Sequence, residues 1–206
     1  MTATLRRHSR RKPGRVSVDD FFSISGDVLR DAEKASEYKM RVPPTARPSN
    51  RNPDVHFWEE AGTITATNSG TYTADNGVIV KTFVYEVTCS AEGSGENIGF
   101  VIKNTLRLAP SAIATGQPEG YAKMSYMSIN RLMALLRGVG IQPDGPDGGF
   151  TSALLKTCFP PEDAFATAAS PLVGKTIRFE LKHGPLDGRD GKRRWIPEIT
   201  TIFEPV

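Results

Sequence analysis

A two-residue alternation of apolar and polar side chains runs through the middle and the end of the chain, and a stretch of 3.6-residue periodicity interrupts it. Residues 57–67, 78–90 and 97–108 are rich in Val, Ile, Thr and aromatics and are separated by Gly, Asn and Asp, which predicts three consecutive strands. Ile129, Leu132, Met133, Leu136 and Val139 then share one face of a helix over 128–139, with Gly138 and Gly140 supplying the stop. A Gly- and Pro-rich loop, 142–149, precedes helical patterns over 152–158 and 161–169. The pattern returns to β over 175–183 and 193–203, joined as a hairpin across the Gly- and Asp-rich residues 184–191. Upstream, Ser17 and Asp20 make a capping pattern before Phe21 and Phe22, and Val28, Leu29, Ala32 and Ala35 predict a short helix within 26–38. Pro43, Pro44, Pro48 and Pro53 then make an extended connection, because proline neither donates to a ladder nor continues a helix.

The expected fold class is therefore mostly β with added helices, in the order β, β, β, α, β, β. Three regions follow: a basic arm over 1–16, a helix and proline-rich extension over 17–56, and a β domain over 57–206. The net charge of +3 comes from the arm, where Arg6, Arg7, Arg10, Arg11, Lys12 and Arg15 precede the first acid, Asp19. The remainder holds 20 basic against 23 acidic side chains and sits near −3. Dense like charge with little apolar content cannot offset chain entropy, so the arm is expected to be unfolded. No run reaches the ~18 apolar residues of a membrane span and no apolar stretch follows the basic start, which points to the cytosol. Cys89 and Cys158 lack a second ligand at metal spacing and read as buried thiols.

A helix between the third and fourth of five strands is the order of an OB barrel, whose exposed face holds single strands. The segment Leu172, Val173, Gly174, Lys175 opening the fourth strand, the helix end Leu135, Leu136, Gly138, Val139, Gly140, and the closing hairpin resemble bacteriophage single-stranded-DNA-binding proteins of the OB-fold type. The resemblance covers roughly residues 57 to 206. It implies a five-stranded OB-like barrel and a protein that coats and protects exposed strands during replication or recombination, in a host cytoplasm. The acidic tail through which such proteins often recruit partners is missing from the chain's end, Ile202, Phe203, Glu204, Pro205, Val206.

Sequence-tolerant binding of single strands needs cations along the backbone and aromatic faces for bases. On the second strand Lys81, Phe83 and Tyr85 share one face and Val78, Val80 and Val84 the other, and the valine face is expected to be core. On the third, Phe100, Ile102 and Leu106 share one face and Lys103 and Arg107 the other. One binding face combining Lys81, Phe83, Tyr85, Lys103 and Arg107 is the expectation, set against the alternative that Phe83 or Tyr85 packs beneath a helix. A second group is Arg189, Lys192, Arg193 and Arg194 beside Trp195 at the last hairpin, where cations flank a stacking surface. It competes with a solvated turn and a core Trp195. The arm residues Arg6, Arg7, Arg10, Arg11 and Lys12 form a third, through counterion release that ignores sequence. Trp58 reads as core or edge.

Enzyme chemistry finds no motif. Asp144, Asp147, Asp187 and Asp190 fit turns and not a cation loop, His8, His56 and His183 are scattered, and neither a phosphate loop nor a cofactor motif occurs. Single-stranded DNA is the expected partner, with RNA and a homo-oligomer open. The rival is a virion or particle assembly protein whose arm contacts nucleic acid or a neighbouring subunit.

Overall fold

The computed structural model describes residues 23–37, 56–161, 170–187 and 193–203; for 35–37, 185–187 and 193–196 it describes the backbone alone. The elements follow as α1 (Gly26–Glu37), β1 (His56–Thr73), β2 (Ile79–Cys89), β3 (Val101–Leu108), α2 (Pro110–Thr115), α3 (Glu119–Gly138), α4 (Ser152–Cys158), β4 (Thr176–Asp187) and β5 (Arg193–Phe203). All five strands form one antiparallel sheet in the order β3-β2-β1-β4-β5.

The long β1 organises the sheet by changing partner along its length. Residues 56–63 pair with β4 and residues 62–73 with β2, so only Gly62 and Thr63 belong to both ladders. A bulge between Ile64 and Ala66 follows that crossing, where an extra residue bends the strand and sharpens its twist. Glycine at 62 is what the crossing requires. A Cβ there would lie 2.6 Å from the Thr88 carbonyl oxygen and from Val87 Cγ1.

The main core lies on the side of the sheet that α3 covers. Phe83, Tyr85 and Val87 of β2, Ile102 and Leu106 of β3, and Phe179 and Leu181 of β4 pack there with Ile129, Leu132 and Leu136 of α3. Val80 and Val84 on the opposite face are also buried, Val80 in a separate small cluster with Ala109, Ala112 and Ala122 beneath α2 and the start of α3. The expectation that the valine face alone forms the core is corrected. The main core belongs to the Phe83 and Tyr85 face, because α3 docks there.

The sheet is open, and β3 and β5 are its edges. Along the β3 edge, Ser128 Oγ accepts a hydrogen bond from Arg107 N (3.0 Å) and Ser125 Oγ accepts one from Ala109 N (2.8 Å). Serine hydroxyls of α3 thus satisfy edge donors that a further strand would otherwise take. The mostly β architecture, with helices between the third and fourth strands, matches the expectation, while the ladders do not close a barrel.

α1 packs on α3, with Asn130 Nδ2 donating to the Ala32 carbonyl (2.7 Å) and Arg137 meeting Glu33 (3.3 Å). The loop before α4 holds α1 at its start. Ile24 and Phe150 exchange both backbone hydrogen bonds, and Asp147 accepts from Gly26 N (2.9 Å) and Gly149 N (3.1 Å). These backbone donors, Gly26 first, hold the Asp147 carboxyl below its ordinary range. Asp144 is lowered first by the Thr151 hydroxyl and then by Thr151 N–H. Both acids are structural, as turn chemistry predicts. Most of the helical pattern over 161–169 and the whole proline-rich segment 38–55 lie outside the described residues. Among the described residues no helix is long and apolar enough to cross a membrane.

Candidate nucleic-acid interface

Residues opposite one another in an antiparallel ladder project to the same face. On the face away from the main core, the register aligns Gly70, Thr82 and Arg107 in one row, Asn68, Val84 and Thr105 in the next, and Ala66, Glu86 and Lys103 in a third. Tyr72 lies beyond the first row, and Thr88 with Val101 beyond the third. Gly70 leaves the surface low between Tyr72 and Asn68. Tyr72 is 43% exposed and Val101 52%, so an aromatic face, a branched apolar side chain, hydroxyls and two cations meet solvent together.

The cationic character of this face is modest. Lys103 Nζ lies 3.7 Å from Glu86 of the neighbouring strand, an exposed pair of small energetic value. The Arg107 guanidinium has no ion pair among the described residues. One unopposed cation and one shared cation can hold a phosphate backbone in place, and the remaining contacts would come from hydroxyls, the Asn68 amide and uncharged surface.

The five residues expected on one face are divided between two. Lys103 and Arg107 are exposed on the outer face. Phe83 and Tyr85 belong to the main core: Phe83 meets Phe159 edge-on at 5.1 Å, and the Tyr85 hydroxyl accepts from Asn104 Nδ2 at 2.7 Å. Burial pushes the Tyr85 phenol up to about 12. Lys81, opposite Leu108, has the parity of Phe83 and is half-buried. The division follows from the register, which puts Leu106 opposite Phe83 and Asn104 opposite Tyr85.

Arg193, Arg194 and Trp195 lie on β5 opposite Asp187, Leu186 and Pro185, in the hairpin read from the sequence. Arg189 and Lys192, like Arg6, Arg7, Arg10, Arg11 and Lys12 of the arm, lie outside the described residues. Trp58 is half-buried against the core, with His56 at 5.7 Å, His183 at 6.1 Å and its Nε1 donating to Glu96 (2.9 Å).

A cleft of about 240 Å³ near Trp58 is lined by Glu59, Glu60, Glu92, Gly93, Ser94 and Arg178. Arg178 is bonded to Glu59, and Glu60 is occupied by Ser94 and Asn97, so the cleft is acidic and its one cation is neutralised. It repels phosphate. Among the described residues no group of three or more His, Cys, Asp or Glu is placed to hold a metal. Cys89 and Cys158 are buried, and burial pushes both thiols up to about 11, away from the thiolate that a nucleophile needs.

Sequence reasoning missed Tyr72. The signal was present, since Thr71, Tyr72 and Thr73 alternate as a strand does, but Asn68, Ser69 and Gly70 before them read as a turn. Compared with known proteins, the chain matches no family model and no curated protein sequence.

Proposed function

We propose that this chain is a non-enzymatic single-stranded-DNA-binding protein of OB-like design that coats exposed strands with little regard to sequence. The observation that carries the reading is the solvent-facing surface of β1, β2 and β3, where Tyr72, Asn68, Thr82, Thr105, Lys103 and Arg107 stand side by side over a sheet sealed from behind by α3. OB folds are five-stranded, partly open barrels that bind oligonucleotides on the face of their second and third strands. A five-stranded antiparallel sheet with a helix between its third and fourth strands agrees with that design. The arm, with six cations before the first acid, adds sequence-independent attraction. The outer-face cations are too few for tight binding alone, so two contributions are expected: a weak, strand-selective one from the sheet and a salt-sensitive one from the arm.

The test is fluorescence anisotropy with labelled single-stranded and duplex oligonucleotides at several salt concentrations, on the full chain, Lys103→Ala, Arg107→Ala, and a form lacking residues 1–16. Arg107→Ala should weaken single-strand binding and make the salt slope shallower by about 0.7, the value of one phosphate contact. Without the arm the body should still prefer single strands. Equal affinity of the body for both forms, or none for either, would leave the outer face without a role and favour the assembly reading.

A further inference from the structure

Gly70 stands in the interior of β1, where a glycine weakens a strand because it has no side chain to pack and more freedom to lose. The fold does not ask for it. Its φ lies outside the left-handed region, so other residues can adopt its backbone. A Cβ there would meet one atom within 4 Å, the Thr82 hydroxyl at 3.2 Å, on a side chain that can turn aside. Gly62 on the same strand differs, since a Cβ there would press on the Thr88 carbonyl oxygen at 2.6 Å. The missing side chain at 70 therefore leaves open space above the sheet. A strand glycine that neither backbone nor packing requires marks the close approach of something else.

The side chains around that space all belong to the outer face. Tyr72, two residues along β1 and exposed, has the parity of Gly70 and stands as a wall beside it. Asn68, two residues the other way, carries an amide that both donates and accepts. Across the sheet the register runs from Gly70 to Thr82 to Arg107, which puts the Arg107 backbone two strand spacings away, about 10 Å, with its side chain on the same face. The Arg107 guanidinium has no ion pair among the described residues. A flat group that fills a gap one side chain deep, lies against an aromatic ring, bonds an amide at its edge and carries an anion within reach of a guanidinium has the chemistry of a nucleotide.

We propose that Gly70 is the floor and Tyr72 the wall of a seat for one unpaired base, whose phosphate meets Arg107. This rests on the single-strand reading and adds the point on the outer face at which a base is held. The Asn68 amide can turn its donor or its acceptor to the base edge, so the seat takes any base. Bases of a duplex are paired and stacked on one another and cannot enter it.

The experiment uses the full chain and measures anisotropy with a labelled thymidine oligonucleotide and with an abasic strand of the same length, alongside thermal melting. Tyr72→Leu should bind the thymidine strand roughly tenfold more weakly, within the span of one lost stacking contact, and Tyr72→Phe should bind it as wild type does. Gly70→Leu should weaken binding by about as much, while Gly70→Ala melts no lower than wild type. Wild type should bind the abasic strand more weakly than the thymidine strand, and that gap should narrow about tenfold in Tyr72→Leu, a coupling that lost phosphate contacts alone would not produce. Wild-type affinity in both Tyr72→Leu and Gly70→Leu, or an abasic gap that Tyr72→Leu leaves untouched, overturns the seat and leaves the outer-face reading intact. Gly70→Ala melting clearly below wild type also overturns it, because the fold itself would then require the glycine. Absence of single-strand binding by wild type removes the seat and the single-strand reading together.

Discussion

Tyr85 and the two cysteines make the stability of this protein sensitive to alkali. Burial raises the Tyr85 phenol from 10.0 to about 12, opposed by the hydrogen bond from Asn104 and the charge of Arg131. Burial also raises Cys89 and Cys158 from 9.0 to about 11, with Glu60 and Asp144 adding to the effect. Each group binds its proton more tightly folded than unfolded. Their contribution is therefore complete below the unfolded values and is lost as pH rises through the folded ones. Urea midpoints should hold up to about pH 9 and fall between pH 9 and 12; a flat profile to pH 12 would contradict the burial of all three. At neutral pH, truncating Phe83 to Ala should cost about 3–5 kcal/mol, whereas Lys103→Ala should stay within about 0.5 kcal/mol. That contrast marks the limit of strand periodicity. It correctly grouped Phe83 with Tyr85 and Lys103 with Arg107, but it could not say which group faces water. Position of α3 decides that, and α3 is far from β2 in the chain.

At the scale of the element, hydroxyls and a carboxylate define where strands stop pairing and where turns are held. Ser125 and Ser128 cap donors along the β3 edge, so Ser125→Ala should cost about 1–3 kcal/mol, the penalty of leaving the buried Ala109 N–H unmet, and Ser128→Ala less, because the Arg107 N–H it caps is only part-buried. The double variant exposes the β3 edge and should self-associate, measured by sedimentation. Glu60→Gln should also cost about 1–3 kcal/mol, because the amide nitrogen cannot accept from Ser94 or Asn97, and amide exchange at Ser94 should quicken. Both devices were hidden in the sequence, since a serine on a helix or a glutamate on a strand ordinarily meets solvent. The helix over 128–139 was legible from its apolar stripe, while its first turns from Glu119 were not: Gly120 and Ser125 weaken the pattern there, and Ser125 is conspicuous only once β3 lies beside it. Similarly β1 extends to Thr73 through Asn68, Ser69 and Gly70, a turn-like run that β2 holds extended by pairing along its length. The closing hairpin was legible from its local alternation, but its bounds were not: β4 runs on to Asp187, pairing residues 184–187, which read as loop, with β5.

At the scale of the whole molecule, the proposed reading separates charge from selectivity. Six arm cations belong to a chain whose remainder is near −3, and the outer face contributes Lys103, partly offset by Glu86, and Arg107. On the proposed reading, log affinity for single strands should fall with log salt at a slope of about −0.7 per phosphate contact. The body alone would show a slope of roughly −1.4 for two contacts. The full chain would reach toward about −5 if most of the arm engages, and the difference measures the arm's share. The same arm attracts duplex at about −0.9 per contact and cannot by itself choose between the two forms. Selectivity for single strands should therefore rise as salt is added to the full chain, because screening weakens the indiscriminate arm more than the stacking and hydroxyl contacts of the sheet. A selectivity that falls with salt would place discrimination in the arm, and the surface built by β1, β2 and β3 would then need another partner to explain Tyr72 and Val101 standing in water on the same face as Lys103.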